Sequence, residues 1–246
     1  MIYQRYHFER LTSTNDYAKE LLQKHNCVVV TADFQTQGRG RNKNQWLGEY
    51  AQNVYLSFGV KHPNLRLFEE VAYFQGLGAL AVYNTLVKIT PTVQYALKYP
   101  NDIYAKTKDS KFRKISGVLV EHQFVGNLCV STVLGIGINV NQKEFPKELS
   151  ETAISLRMLG YDFKVEDIVN HLISEIERLM ELFPDEIFQI WKNKLNIIGK
   201  EIFVVNRQLL CKVEGMDSIG RLIAVANNNE KLLISDGDSI RYELEG

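Results

Sequence analysis

The stretch TADFQTQGRGRNKNQW, Thr31 to Trp46, follows directly on the apolar run CVVV at residues 27–30. A buried strand here runs into a loop in which Gly38, Arg39, Gly40 and Arg41 alternate the freest backbone with bulky cations, and Trp46 closes the run. A simple turn needs none of this. Glycines let a backbone approach a ligand closely. Guanidinium forks suit carboxylate and phosphate oxygens. An indole stacks on a planar ring or covers a closed site. Taken alone, the tetrapeptide reads equally well as a solvated RGG-like loop making loose RNA contacts, because short motifs match by chance.

Working outward, STNDYAKELLQK reads as a helix capped by Ser13, with Asp16 three residues on and Leu21 and Leu22 facing inward. NVYLSFGV alternates, with Val54, Leu56, Phe58 and Val60 on one face, and reads as a half-buried strand. Leu67 to Ile89 reads as one long helix, and QYALKY as a strand that Pro100, Asn101 and Asp102 break into a turn. ISGVLVEH and LCVSTVLGIGINV form a strand pair about a turn at Gly126-Asn127. Two helices follow, Val165 to Phe183 and Asp185 to Leu195. From Lys200 the pattern changes to five short strands with polar turns (KEIFVV, LLCKVEG, GRLIAVA, KLLISD, DSIRYEL), a small β-barrel. The expected organisation is therefore a mixed α/β domain over residues 1–196 and a small β domain over 197–246.

Composition removes several functions. Lys plus Arg is 29 and Asp plus Glu is 29, so the formal net charge of zero argues against a general nucleic-acid or membrane-surface binder. The three cysteines, Cys27, Cys129 and Cys211, are far apart and fit a reduced, cytoplasmic setting. No segment is apolar for long enough to span a bilayer. There is no GxxxxGK[ST] loop, GxSxG elbow or HExxH helix, and the five histidines are scattered.

Three further stretches carry polar chemistry. KYPND (98–102) is either an ordinary strand-ending turn or a place where Asn101 and Asp102 orient a phosphate or its metal. In RKISGVLVE (113–121), Lys114 is either the solvated end of a basic loop or a cation fixed by the strand after it, with Gly117 leaving room for a ligand. GIGINVN (135–141) is either a tight turn after a core strand or a small-residue surface for a ring, with Asn139 to hydrogen-bond it.

The order decides among these readings. STN, then GRGR with a tryptophan five residues later, then KYPND, KISGVLVE and GIGIN, resembles the biotin–protein ligase family from about Ser13 to Asn141, and the β tail resembles that family's SH3-like C-terminal domain. The resemblance implies a mixed sheet flanked by helices, like that of class II aminoacyl-tRNA synthetases. It implies adenylation of biotin by ATP with Mg²⁺, followed by transfer to a lysine of a biotin carboxyl carrier protein or carboxylase subunit. Ser13, Thr14, Asn15, Gln35, Gly38 and Gly117 look like biotin-contacting positions. Arg39 and Arg41 look like the catalytic loop arginines that organise biotin and the adenylate phosphate. Lys114 resembles the catalytic lysine between the biotin carboxylate and the α-phosphate. Trp46 and Asn139 look like adenine neighbours, and Asn101 and Asp102 like groups near the phosphates, with Asp102 toward magnesium.

Some features depart from the family pattern. NKNQ, with Lys43 as its one cation, stands where a second basic run is usual, KYPND replaces KWPND, and Ser116 takes a position usually held by Gly or Ala. About a dozen residues precede Ser13, so the expected form is monofunctional, without a DNA-binding winged helix. A homodimer is expected by resemblance alone. The alternatives are a lipoate–protein ligase or octanoyltransferase of the same fold, and a non-enzymatic RNA- or peptide-binding protein.

Overall fold

The computed structural model describes residues 2–244, and of Lys43 the backbone alone. Seven strands form the larger sheet: β1 (Gln4–Phe8), β2 (Cys27–Ala32), β3 (Asn53–Arg66), β4 (Tyr95–Lys98), β5 (Asp102–Lys106), β6 (Phe112–Val125) and β7 (Leu128–Asn139). Their spatial order is β1-β2-β3-β7-β6-β5-β4. β1 and β2 run parallel, and the other neighbours are antiparallel, so the sheet is mixed as expected. The helices are α1 (Thr14–Leu21), α2 (Phe68–Val71), α3 (Phe74–Ile89), α4 (Val165–Leu179) and α5 (Pro184–Leu195).

Strand periodicity explains how the layers form. Side chains alternate across a strand, so a strand covered on both faces is apolar throughout. In β2, Cys27 and Val29 join the main core with α3 and α4, while Val28 and Val30 pack with Ala18 and Leu22 of the α1 segment. β3 behaves likewise. Val54, Leu56, Phe58 and Val60 share one face, yet all eight residues from Asn53 to Val60 are buried. The expectation of a half-buried strand is corrected by α1, which roofs the second face. Gly59 belongs to that contact, since a Cβ there would lie 3.0 Å from Val28 and 3.1 Å from Leu22.

Other expectations met local exceptions. β1 and β5 are short and polar or mixed in pattern, and only pairing with β2 and β6 makes them strands. The single helix expected over Leu67 to Ile89 is two. Ala72 and Tyr73 keep right-handed dihedrals, but Gln75 N–H donates to Ala72 O at 3.2 Å, the tighter i→i+3 pattern. The hairpin at Gly126-Asn127 is as read, with Val125 paired to Leu128 and Gly126 at φ +59°.

The second sheet contains β8 (Glu201–Val204), β9 (Leu209–Met216), β10 (Leu222–Ala226), β11 (Lys231–Ile234) and β12 (Ile240–Arg241) in the order β11-β10-β9-β8-β12. β11 and β12 are its edges, so it is an open half-barrel. It is tied to the first sheet at the turn before β5. The Tyr99 hydroxyl lies 2.9 Å from the carbonyl oxygens of both Gly220 and Ile234, and Trp191 Nε1 donates to Pro100 O at 3.0 Å. One hydrophobic cluster runs through both sheets. Among the described residues, no helix is long and apolar enough to cross a membrane.

Candidate active site

The Gly-Arg loop leaves β2, the Asn101 turn leads into β5, and the middle parts of β6 and β7 lie between them. Together they enclose a cavity of about 110 Å³. Ser13, Thr14, Asn15, Gln35, Arg39, Arg41, Trp46, Asn101, Asp102, Lys114 and Gly117 all reach its wall, although the sequence scatters them over a hundred positions. Two of the expected residues do not. Gly38 is buried, and its carbonyl accepts the Trp46 N–H at 3.0 Å. Asn139 is buried and donates to Ile154 O at 3.1 Å.

The floor is made of glycines. Gly117 on β6 pairs in register with Gly137 on β7, and Leu119 pairs with Gly135. The Trp46 ring lies on this floor. A Cβ on Gly117 would come within 3.1 Å of its Cζ3, and one on Gly137 would overlap Cε2. Trp46 Nε1 is buried over Gly137 without a hydrogen-bond partner. The Lys114 ammonium sits 5.8 Å from the indole centroid and 2.7 Å from Asp102 Oδ2. Lys114 lies within β6 rather than before a strand, opposite Tyr104, with its N–H donating to Thr152 O at 2.7 Å. The backbone therefore holds it on both sides.

The start of α1 supplies a polar corner. Ser13 Oγ accepts from Asp16 N, the cap that the sequence predicted. Gln35 Oε1 accepts from Thr14 N at 2.8 Å and from the Thr14 hydroxyl at 3.1 Å. Asn15 Nδ2 donates to Glu121 at 2.6 Å, and Asn15 Oδ1 accepts from the Ser57 hydroxyl at 2.5 Å. These bonds fix the side chains before any ligand arrives.

Both arginines meet carboxylates. Arg39 makes two hydrogen bonds of 2.6 Å to Asp16 and lies 3.7 Å from Glu121, which Lys19 also reaches at 2.9 Å. The Arg39 hydrogen bonds hold the Asp16 carboxyl below the usual carboxylate range. Arg41 bonds Asn101 Oδ1 at 3.3 Å and Asp236 at 3.0 Å, so the loop bridges the two sheets. Beside this group, burial lowers the pKa of Lys98, which faces Tyr104 at 5.4 Å. Sequence reasoning missed Asp238 on the cavity wall and the carboxylates that hold the two arginines from outside it, Asp16, Glu121 and Asp236. Gly135 and Gly137 were visible inside GIGIN. Asp236 and Asp238 carry no motif, and only the packing of the second sheet brings them near.

The sequence and the fold are similar to those of known proteins. The biotin protein ligase from Aquifex aeolicus in complex with biotin and ATP superposes with a TM-score of 0.72 at 25% identity, covering 98% of this chain and 99% of that one. The bifunctional ligase/repressor BirA of Bacillus subtilis is 29% identical over 243 residues, covering 92% of this chain and 70% of its own length. The biotin–[acetyl-CoA-carboxylase] ligase of Mycobacterium tuberculosis is 32% identical over 155 residues, 61% of this chain and 53% of that protein. Residues 7–139, more than half of the sequence and the part that builds the cavity floor, match the biotin/lipoate A/B protein ligase family, and the chain belongs to that family.

Proposed function

We propose that this protein is a biotin–protein ligase, which joins biotin to AMP at the expense of ATP and then passes biotin to a lysine of a carrier protein, a biotin–[acetyl-CoA-carboxylase] ligase by class. The observation that carries this reading is the glycine floor under Trp46, with the Lys114 ammonium at its edge. The floor is a flat surface beside a fixed cation, suited to planar rings next to an anionic group, and the indole of Trp46 lies on it.

The chemistry follows from charge. A carboxylate is a poor electrophile, so biotin must become a mixed anhydride before an amine can attack it. Its carboxylate oxygen attacks the α-phosphorus of ATP, and pyrophosphate leaves. Two unit charges 4 Å apart repel by about 4 kcal/mol at an effective dielectric near 20. Of the cavity-wall cations Arg39, Arg41 and Lys114, the last two lie beside Asn101 and Asp102, and they offset this repulsion and stabilise charge building at phosphorus. Ser13, Thr14, Asn15, Gln35 and Gly117 line the biotin end, and Asn101 with Trp46 the nucleotide end. Positioning dominates, since no proton need move in the first step. In the second step the carrier's amine attacks the anhydride carbonyl, and AMP takes the electron pair.

Magnesium binds through one or two carboxylates together with substrate phosphates. Asp102 and Asp238 are the cavity-wall carboxylates beyond the Arg39 cluster, and they would hold such an ion at the phosphate end. When bound, it would screen the phosphate oxygens. No group of three or more His, Cys, Asp or Glu side chains that could hold a metal ion occurs among the described residues.

The test is isotope exchange between pyrophosphate and ATP. Exchange should require biotin and magnesium, and neither lipoate nor octanoate should support it. Exchange with lipoate and none with biotin would reassign the protein within its family.

A further inference from the structure

We propose that Asp16 is the clasp of the Gly-Arg loop: it grips Arg39 so that the loop stays closed over bound adenylate, and Arg39 serves the lid rather than the phosphate. This rests on the function proposed above.

The geometry separates the two arginines. Both terminal nitrogens of Arg39 reach both oxygens of Asp16 at 2.6 Å, the paired fork arrangement that is the strongest ion-pair geometry. Glu121 at 3.7 Å and its own partner Lys19 complete a cluster of two anions and two cations. Arg39 is thus already neutralised. Serving a phosphate would break both charge-assisted bonds and leave Asp16 and Glu121 to share Lys19, which lies 3.4 Å from the first and 2.9 Å from the second. Arg41 instead meets its carboxylate, Asp236, through one nitrogen at 3.0 Å, while its other nitrogen lies at Asn101, beside Asp102 and Lys114.

The clasp is linked directly to the lid. Arg39 pairs with Gln45 across the loop, Gly40 N–H donates to Asn44 O at 2.7 Å, and Trp46 N–H donates to Gly38 O at 3.0 Å. Holding the guanidinium of Arg39 therefore holds Trp46 on the glycine floor. Asp16 can act as an anchor because it lies in the first turn of α1, a helix fixed by its Ser13 cap and by the packing of Ala18. The pair is partly exposed, so its hold should weaken with salt.

The experiment compares the wild type, Asp16→Asn, Arg39→Asp and the reversed pair Asp16→Arg/Arg39→Asp, each checked for folding by thermal melting. Two rates are read: single-turnover formation of biotinyl-AMP, and its release from enzyme freed of excess substrate. Asp16→Asn should form the adenylate within about threefold of the wild-type rate and release it about tenfold faster, the loss expected for a bidentate pair. The reversed pair should recover most of the retention lost in Arg39→Asp. Unchanged release from Asp16→Asn overturns the clasp. So does a reversed pair as slow in adenylation as Arg39→Asp alone, which would place Arg39 on the phosphate. If the wild type forms no biotinyl-AMP, the functional reading fails and the clasp is judged separately by trypsin cleavage after Arg41 in the ligand-free protein. Faster nicking of Asp16→Asn than of wild type supports it, and equal nicking rejects it.

Discussion

Lys114 shows how one side chain becomes useful. A lysine at the end of a basic run is ordinarily solvated, and its ammonium wanders. Here β6 carries it into the sheet, Asp102 pins the ammonium at 2.7 Å, and the indole of Trp46 covers it. A cation fixed in this way costs no reorganisation when negative charge builds at phosphorus. Lys114→Ala should therefore slow single-turnover adenylation by about a hundredfold or more while weakening biotin binding by less than about tenfold, because the charge matters most in the transition state. Rapid-quench measurement of biotinyl-AMP, beside calorimetric binding of biotin, separates the two effects. Wild-type adenylation in this variant would reduce Lys114 to a surface lysine.

At the scale of the element, the β6–β7 hairpin has a second role away from the cavity. Thr132 on β7 stands between two histidines, with its hydroxyl 2.9 Å from His122 Nδ1 on β6 and 2.8 Å from His62 Nε2 on β3. Burial drives His122 from its ordinary 6.5 down to about 4, with His62 adding a smaller push, and burial also lowers His62. The sign follows from proton counting. Below about pH 6.5 the unfolded chain binds a proton that the folded hairpin refuses until about pH 4, so stability is full above that window and falls as the pH drops through it. The expected loss between pH 7.5 and 4.5 is on the order of 2 kcal/mol. His122→Asn should flatten this slope in urea melts at the two pH values. An unchanged slope would mean that the ring is solvated.

Across the whole molecule, the half-barrel is joined to the larger sheet through a shared core. Trp191 on α5 is 1% exposed and packs on Gly76 of α3 and Gly220 of the half-barrel, while its ring nitrogen donates to Pro100 O. Its indole therefore touches α3, the turn before β5 and the second sheet at once. Trp191→Ala should cost about 3–5 kcal/mol through the cavity it leaves. It should also loosen Arg41, which depends on Asp236 of the second sheet. Denaturant melts followed by tyrosine fluorescence and by circular dichroism should show one coincident, earlier transition. Two separate transitions would show that the half-barrel unfolds on its own.

What was legible in the sequence was whatever depends on neighbours along the chain. The Ser13 cap, the alternation of β3, the Gly126-Asn127 hairpin and the five short strands after Lys200 all rest on local periodicity or turn chemistry, and the structure has them. The ordered motifs also marked most of the cavity wall, because each requires an uncommon residue at a fixed spacing. Tertiary structure decided the rest. β1 and β5 exist as strands because β2 and β6 lie beside them, and the second face of β3 is buried because α1 covers it. Asp236 joins Arg41, nearly two hundred residues away, through the packing of one sheet against another. Asp16 was legible as a first-turn helix residue. That it grips Arg39 was not, because an ion pair depends on distance in space, and the chain brings those two charges together only when β2 lies against α1.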